Sequence, residues 1–119
     1  MKYIIIFILL VFSISAYSET TMENFKSGPE NRWQFFTDQV MGGRSIGKLD
    51  FLSEENISFA RMTGDVTTEN NGGFIQFRAQ LGYKLMDSFE GIRLQVRGNN
   101  QDYFIHIRTK GSVLPWQYY

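Results

Sequence analysis

From Trp33 onward, apolar residues recur at every second position in short runs, and the runs are separated by Gly and Asn. The clearest case is residues 91–98, where Ile92, Leu94 and Val96 alternate with Arg93, Gln95 and Arg97. A period of two places the aliphatics on one face of a strand and the polar residues on the other. Residues 103–109 repeat the pattern, with Tyr103, Ile105 and Ile107 against Phe104, His106 and Arg108. The link between them, Gly98-Asn99-Asn100-Gln101-Asp102, has turn chemistry, so the two runs predict an antiparallel hairpin. Residues 73–81 and 56–62 read as strands in the same way, and 48–52 and 33–37 as shorter ones. No stretch carries a helical period over three turns, and only residues 83–89 leave room for a helical turn. Short strands roughly 10–15 residues apart predict an all-β antiparallel sandwich or barrel.

The N-terminus departs from this pattern. After Lys2, residues 3–14 are apolar except for Ser13, and Ala16-Tyr17-Ser18 offers a small-x-small cleavage site. The run is shorter than the ~20 residues a bilayer-spanning helix requires. Residues 1–18 are therefore expected to be a cleaved signal peptide, with membrane attachment only through an uncleaved signal. Residues 19–32, polar and carrying Gly28-Pro29, read as a leader, and 33–119 as the domain. About 100 mature residues make one small domain. The chain has no Cys, so its stability rests on packing and hydrogen bonds. A cysteine-free exported chain fits a bacterial envelope, periplasmic or secreted. Twelve basic and 12 acidic residues balance, which gives no reason to expect nucleic acid or an anionic membrane.

The most distinctive segment is Asp38-Gln39-Val40-Met41-Gly42-Gly43-Arg44-Ser45. It lacks the lysine and following helix of a phosphate loop. It reads as a structural turn in which the Asp38 carboxylate binds backbone amides. Asn70-Asn71-Gly72-Gly73 reads as a hairpin turn rather than a calcium loop, since Asp65 and Glu69 do not complete a Ca²⁺ motif. Arg78, Arg93, Arg97, His106 and Arg108 fall on the polar phase of three successive predicted strands. If those strands pair in order, the five side chains form a candidate binding face for an anion, or else a solvated face.

His106 is the only histidine, so a metal or catalytic role has no partner to complete it. Glu54 and Glu55 are adjacent and point to opposite faces, a poor pair for glycoside hydrolysis. No serine sits in a nucleophile-elbow pattern. No catalytic residue, metal or cofactor is expected. Trp33 and Trp116 could stack on sugars or fill the core.

Trp33, the Asp38–Ser45 segment, Gly64, Asn70-Asn71-Gly72-Gly73-Phe74, Gly91-Ile92, Val96-Arg97-Gly98 and Tyr103 together resemble the complex I intermediate-associated protein 30 domain family, in order and spacing. The resemblance implies a galactose-binding-like β-sandwich of jelly-roll type and a non-enzymatic assembly role toward NADH:ubiquinone oxidoreductase. It offers no catalytic residue. It marks Asp38, Gly42, Gly43, Ser45, Asn71, Gly72, Gly73 and Gly98 as turn-makers. Two departures stand out: an export signal, where complex I is assembled on the matrix or cytoplasmic side, and an end at Tyr119, short of the family's last strands. The favoured expectation is an envelope binding or assembly module that contacts an unidentified protein partner. The alternative is a carbohydrate-binding module with a glycan ligand.

Overall fold

The computed structural model describes residues 19–80, 89–109, 111 and 113. They divide into two units, one ending at Leu81 and one beginning at Gly82. The expected signal peptide, the possible helical turn at 83–89 except Phe89, and Trp116 lie outside the described residues.

The first unit is all-β and antiparallel. Strand β1 (Trp33–Thr37) pairs with β4 (Ile75–Ala79), and β2 (Ile46–Glu54) pairs with β3 (Ile57–Asp65). The predicted strands at 33–37, 48–52, 56–62 and 73–81 each have a counterpart, with β2 and β3 longer than the pattern indicated and β4 shorter; Leu81 lies outside the described residues. Glu55 and Asn56 close the β2–β3 hairpin, both in the left-handed region (φ 49° and 66°). Such a pair is what a two-residue hairpin turn requires to match the right-handed strand twist.

Pairing decides which side chains meet. Along β2–β3, Gly47, Leu49 and Phe51 stand opposite Gly64, Met62 and Ala60. This is the face turned to the β1–β4 pair. A methyl on Gly47 would fall 2.6 Å from the Thr63 carbonyl oxygen and 3.2 Å from the Phe35 ring. One on Gly64 would fall 3.0 Å from Ile75. The Gly47–Gly64 pair thus leaves room for Phe35 and Ile75 of the other ladder to approach closely. Among the described residues no hydrophobic side chain is fully buried, so the interior is built of half-buried ones.

Aromatic rings carry much of it. Trp33 lies 5.1 Å from Phe77 and 5.8 Å from Phe25, centroid to centroid, and Phe25 stacks on Phe51 at 6.1 Å. Part of the 19–32 segment is therefore tied to the fold rather than trailing from it. Glu23 fixes it there. Its carboxylate accepts from the Phe25 N–H (2.7 Å), from Arg32 Nη2 (2.8 Å) and Nε (3.0 Å), and from Trp33 Nε1 (2.9 Å). The Arg32 guanidinium, aided by the other donors, holds the Glu23 carboxyl at about 2, well below its ordinary 4.5.

Two expectations are corrected. Asn70–Gly73 does not turn a hairpin, because β4 pairs with β1 and not with β3. It forms part of a crossover between ladders, although Asn70 (φ 54°) and Asn71 (φ 60°) do take the left-handed backbone that Asn tolerates. In the second unit, residues 91–98 and 103–109 form no β ladder. Asn100 does take the expected turn conformation (φ 64°), and the Tyr103 hydroxyl meets Asn99 Oδ1. Alternation says which face a segment could bury but not whether it finds a partner, and a lone two-stranded ribbon is marginal in water. Here both phases are exposed, Leu94 at 52% and Phe104 at 85%.

Candidate functional site

The turn after β1 is built around one carboxylate. Asp38 opens a 3-10 turn (Asp38–Met41) whose N-cap, Thr37, accepts from the Gln39 N–H. Its own N–H donates to the Phe74 carbonyl (3.1 Å) just ahead of β4. Asp38 and Ser45 are both fully buried. Oδ1 accepts from the Ser45 N–H (2.9 Å), while Oδ2 accepts from the Ser45 hydroxyl (2.5 Å) and the Gly73 N–H (2.7 Å). The Ser45 hydroxyl in turn accepts from the Thr67 N–H (3.0 Å). Gln39 Nε2 reaches the Ser45 carbonyl, and Asn70 Nδ2 reaches the Gly42 carbonyl. The loop before β2 and the loop before β4 are thereby held as one body.

This explains the glycines. Gly42 caps the 3-10 turn with φ 89°, and Gly73 lies at φ 142°, both in the region that disfavours a side chain. Gly43 and Gly72 are required for another reason: a Cβ on either would collide with the Asp38 carboxyl group. The two double-glycine steps form the walls around a buried anion.

Burial alone would push the Asp38 carboxyl up. The Ser45 hydroxyl and the N–H groups of Gly73, Ser45 and Phe74 outweigh it and hold the carboxyl below its ordinary range. With several donors satisfied at once, the carboxylate acts as a structural acceptor. Its chemistry is that of an internal cap.

What the loop displays differs from what it hides. At its tip Val40 is 71% exposed and Met41 63%. Val40 borders an open groove of roughly 590 Å³ with Gln34, Phe35, Phe36 and Arg78. Arg78 stands opposite Gln34 in the β1–β4 register, with its guanidinium carbon 4.9 Å from the centre of the Phe36 ring. The Phe74 ring meets Phe36 edge-on at 6.2 Å.

The family model for Complex I intermediate-associated protein 30 (CIA30) matches residues 23–119, most of the chain. The chain belongs to this family. No curated protein and no solved structure matches it. The CIA30 match begins at Glu23, the residue that fastens the N-terminal segment to Trp33.

The remaining residues of the candidate face in this CIA30 domain lie in the second unit. Arg93, Arg97, His106 and Arg108 are exposed there, and His106 lies 6.4 Å from the Phe104 ring. Among the described residues no group of three or more His, Cys, Asp or Glu could hold a metal ion. Trp33 is half-buried, with its indole N–H spent on Glu23, which suits interior packing better than a sugar platform.

Three features were missed by pattern reading: the Glu23 fastening, the Gly47–Gly64 approach, and the display of Val40 and Met41. Glu23 and Arg32 carry no signal in strand periodicity. The apolar Val40-Met41 pair inside a glycine loop was the available clue to the third.

Proposed function

We propose that this CIA30-family chain is a non-enzymatic binding and assembly module that works through protein–protein contacts, and that it does so after export to the cell envelope. The observation that carries the reading is the hydrogen-bonded Asp38 loop. It commits its one buried carboxylate to internal hydrogen bonds and presents Val40 and Met41 to solvent beside the Arg78–Phe36 groove. Exposed apolar groups on a pre-organised loop associate at low entropic cost. The family is described by its association with a complex I intermediate, which supports a protein partner over a small substrate. Export rests on the apolar run and cleavage-like site at residues 1–18. Arg78 contributes charge at the groove, and Arg93, Arg97, His106 and Arg108 are proposed as further cationic contacts.

The test is photo-crosslinking of the full chain in its own cells, with the crosslinker at Met41 or, as a control, at Lys48, on the face of β2 turned away from the β1–β4 pair. A discrete protein adduct from Met41, absent from Lys48 and lost in Val40→Asp, supports the reading. Absence of any adduct from Met41 across all cell fractions overturns it. N-terminal sequencing of the chain from the envelope fraction tests export: a start after Ser18 supports it, and an intact Met1 in the cytoplasm overturns it.

A further inference from the structure

The groove beside the Asp38 loop has a composition that names its occupant. One face of the β1–β4 ladder carries Gln34, Phe36, Gln76 and Arg78, because Gln34 pairs with Arg78 and Phe36 with Gln76. Arg78 is exposed and lies over the Phe36 ring, and no acidic side chain pairs with it among the described residues. The other arginines of the first unit differ: Arg32 is paired with Glu23, Arg44 with Glu69 and Arg61 with Glu54. The Arg78 guanidinium thus lies over an aromatic ring, with its donor edge unspent. Beside it lie an amide, Gln34, and an apolar wall of Phe36 and Val40.

A guanidinium held over an aromatic face keeps its N–H groups free for bidentate binding of a planar anion. A carboxylate is the planar anion that fits. The apolar wall adds a place for an aliphatic or aromatic side chain next to that carboxylate. We propose that this groove binds an acidic-apolar segment of a protein partner, one Asp or Glu on Arg78 with a neighbouring Leu or Phe side chain against Phe36 and Val40. The proposal rests on the protein-contact reading above and specifies the chemistry of the partner. Val40 lies in the 3-10 turn whose ends the Asp38 network anchors, so the backbone that carries the pocket wall is set before the partner arrives.

The experiment uses the full chain, labelled for NMR at arginine Nε and at Val and Ile methyls. The probes are blocked hexapeptides containing Glu-Leu or Asp-Phe, their Gln-Leu and Asn-Phe counterparts, inorganic phosphate, and phosphatidylglycerol vesicles. Saturable shifts at the Arg78 Nε–H and Val40 methyls with the acidic peptides are expected. They should weaken about tenfold or more when the carboxylate becomes an amide or when Arg78→Gln is used, the size of a lost charge-assisted hydrogen bond. Arg78→Lys keeps the charge but loses the fork, and is expected to fall between the two. Unaltered shifts elsewhere in each variant certify its fold. Equal binding of acidic and amide peptides, shifts that bypass Arg78, no shift at millimolar peptide, or an equal response to phosphate or vesicles would each overturn the proposal. If the Met41 crosslink persists in Arg78→Gln while the peptides fail, the protein-contact reading stands and the carboxylate chemistry falls.

Discussion

Two carboxylates in this domain each gather several donors, and they do so in opposite surroundings. Asp38 is fully buried and ties the loop after β1 to the loop before β4, with its Gly73 bond spanning 35 positions of sequence. Glu23 lies near the surface and ties a nearby segment to Arg32 and Trp33, within 10 positions. The buried one dictates its neighbours: glycine is needed at 43 and 72, hydroxyl at 45, and positive φ at 42 and 73. The surface one asks only for a cation and an indole. A hydrogen-bonded anion in an interior constrains many residues because each alternative leaves a donor or the charge unsatisfied, whereas solvent can replace partners at a surface.

Substitutions should separate the two. The largest effect belongs to Asp38→Ala, which strands the Ser45 and Gly73 donors, and the domain is expected to lose its cooperative melt by near-UV circular dichroism. A melt close to that of the wild type would mean the network is ornamental. Next comes Gly43→Ala or Gly72→Ala. Each drives a methyl into the carboxylate and should lower stability by about 1–3 kcal/mol, as overpacking does, read from the urea midpoint. An unchanged midpoint would show that the walls can give way.

At the Glu23 site, Trp33→Phe keeps a ring but removes the indole donor, and a loss of about 1 kcal/mol is expected in the same assay. Its pH dependence is more telling. The folded Glu23 carboxyl is depressed to about 2 from 4.5. Its contribution is therefore complete above pH 4.5 and is lost as pH falls toward 2. Relative to the wild type, Glu23→Gln should be less stable near neutrality and converge with it near pH 2. A constant gap across that window would refute the linkage. Smallest of all is Arg44→Ala, where a 3.5 Å pair between two largely exposed side chains should matter by less than about 0.5 kcal/mol.

Much of the first unit was legible in its sequence because local pattern and pairing agreed. Residues 73–81 alternate, Asn and Gly mark the turns, and an Asp ahead of two glycines announces a carboxylate-centred loop. The partner of β4 was not legible. Asn70–Gly73 has hairpin composition, yet β4 lies against β1, and nothing local distinguishes a turn between paired strands from a crossover between ladders. The Arg93–Arg108 region failed in the other direction. Its alternation is the cleanest in the chain, but a ladder needs a neighbour, and period two cannot supply one. Of the candidate site, residue type alone marks Gly42, Asn70, Asn71 and Gly73 as tolerant of the positive φ they adopt. The groove is not marked in that way, because it depends on Gln34 facing Arg78 across a ladder between distant strands.

The Asp38 bridge also has a kinetic meaning. In a chain without cysteine, it staples residues 38 and 73 together and encloses the whole β2–β3 hairpin within the loop it closes. That hairpin can zip from its own two-residue turn, whereas the staple must wait for a long-range encounter, the slow class of event in β-protein folding. It is a cross-link that no reductant opens and no oxidant is needed to form. The reagent that undoes it is acid, which protonates the carboxylate at its centre.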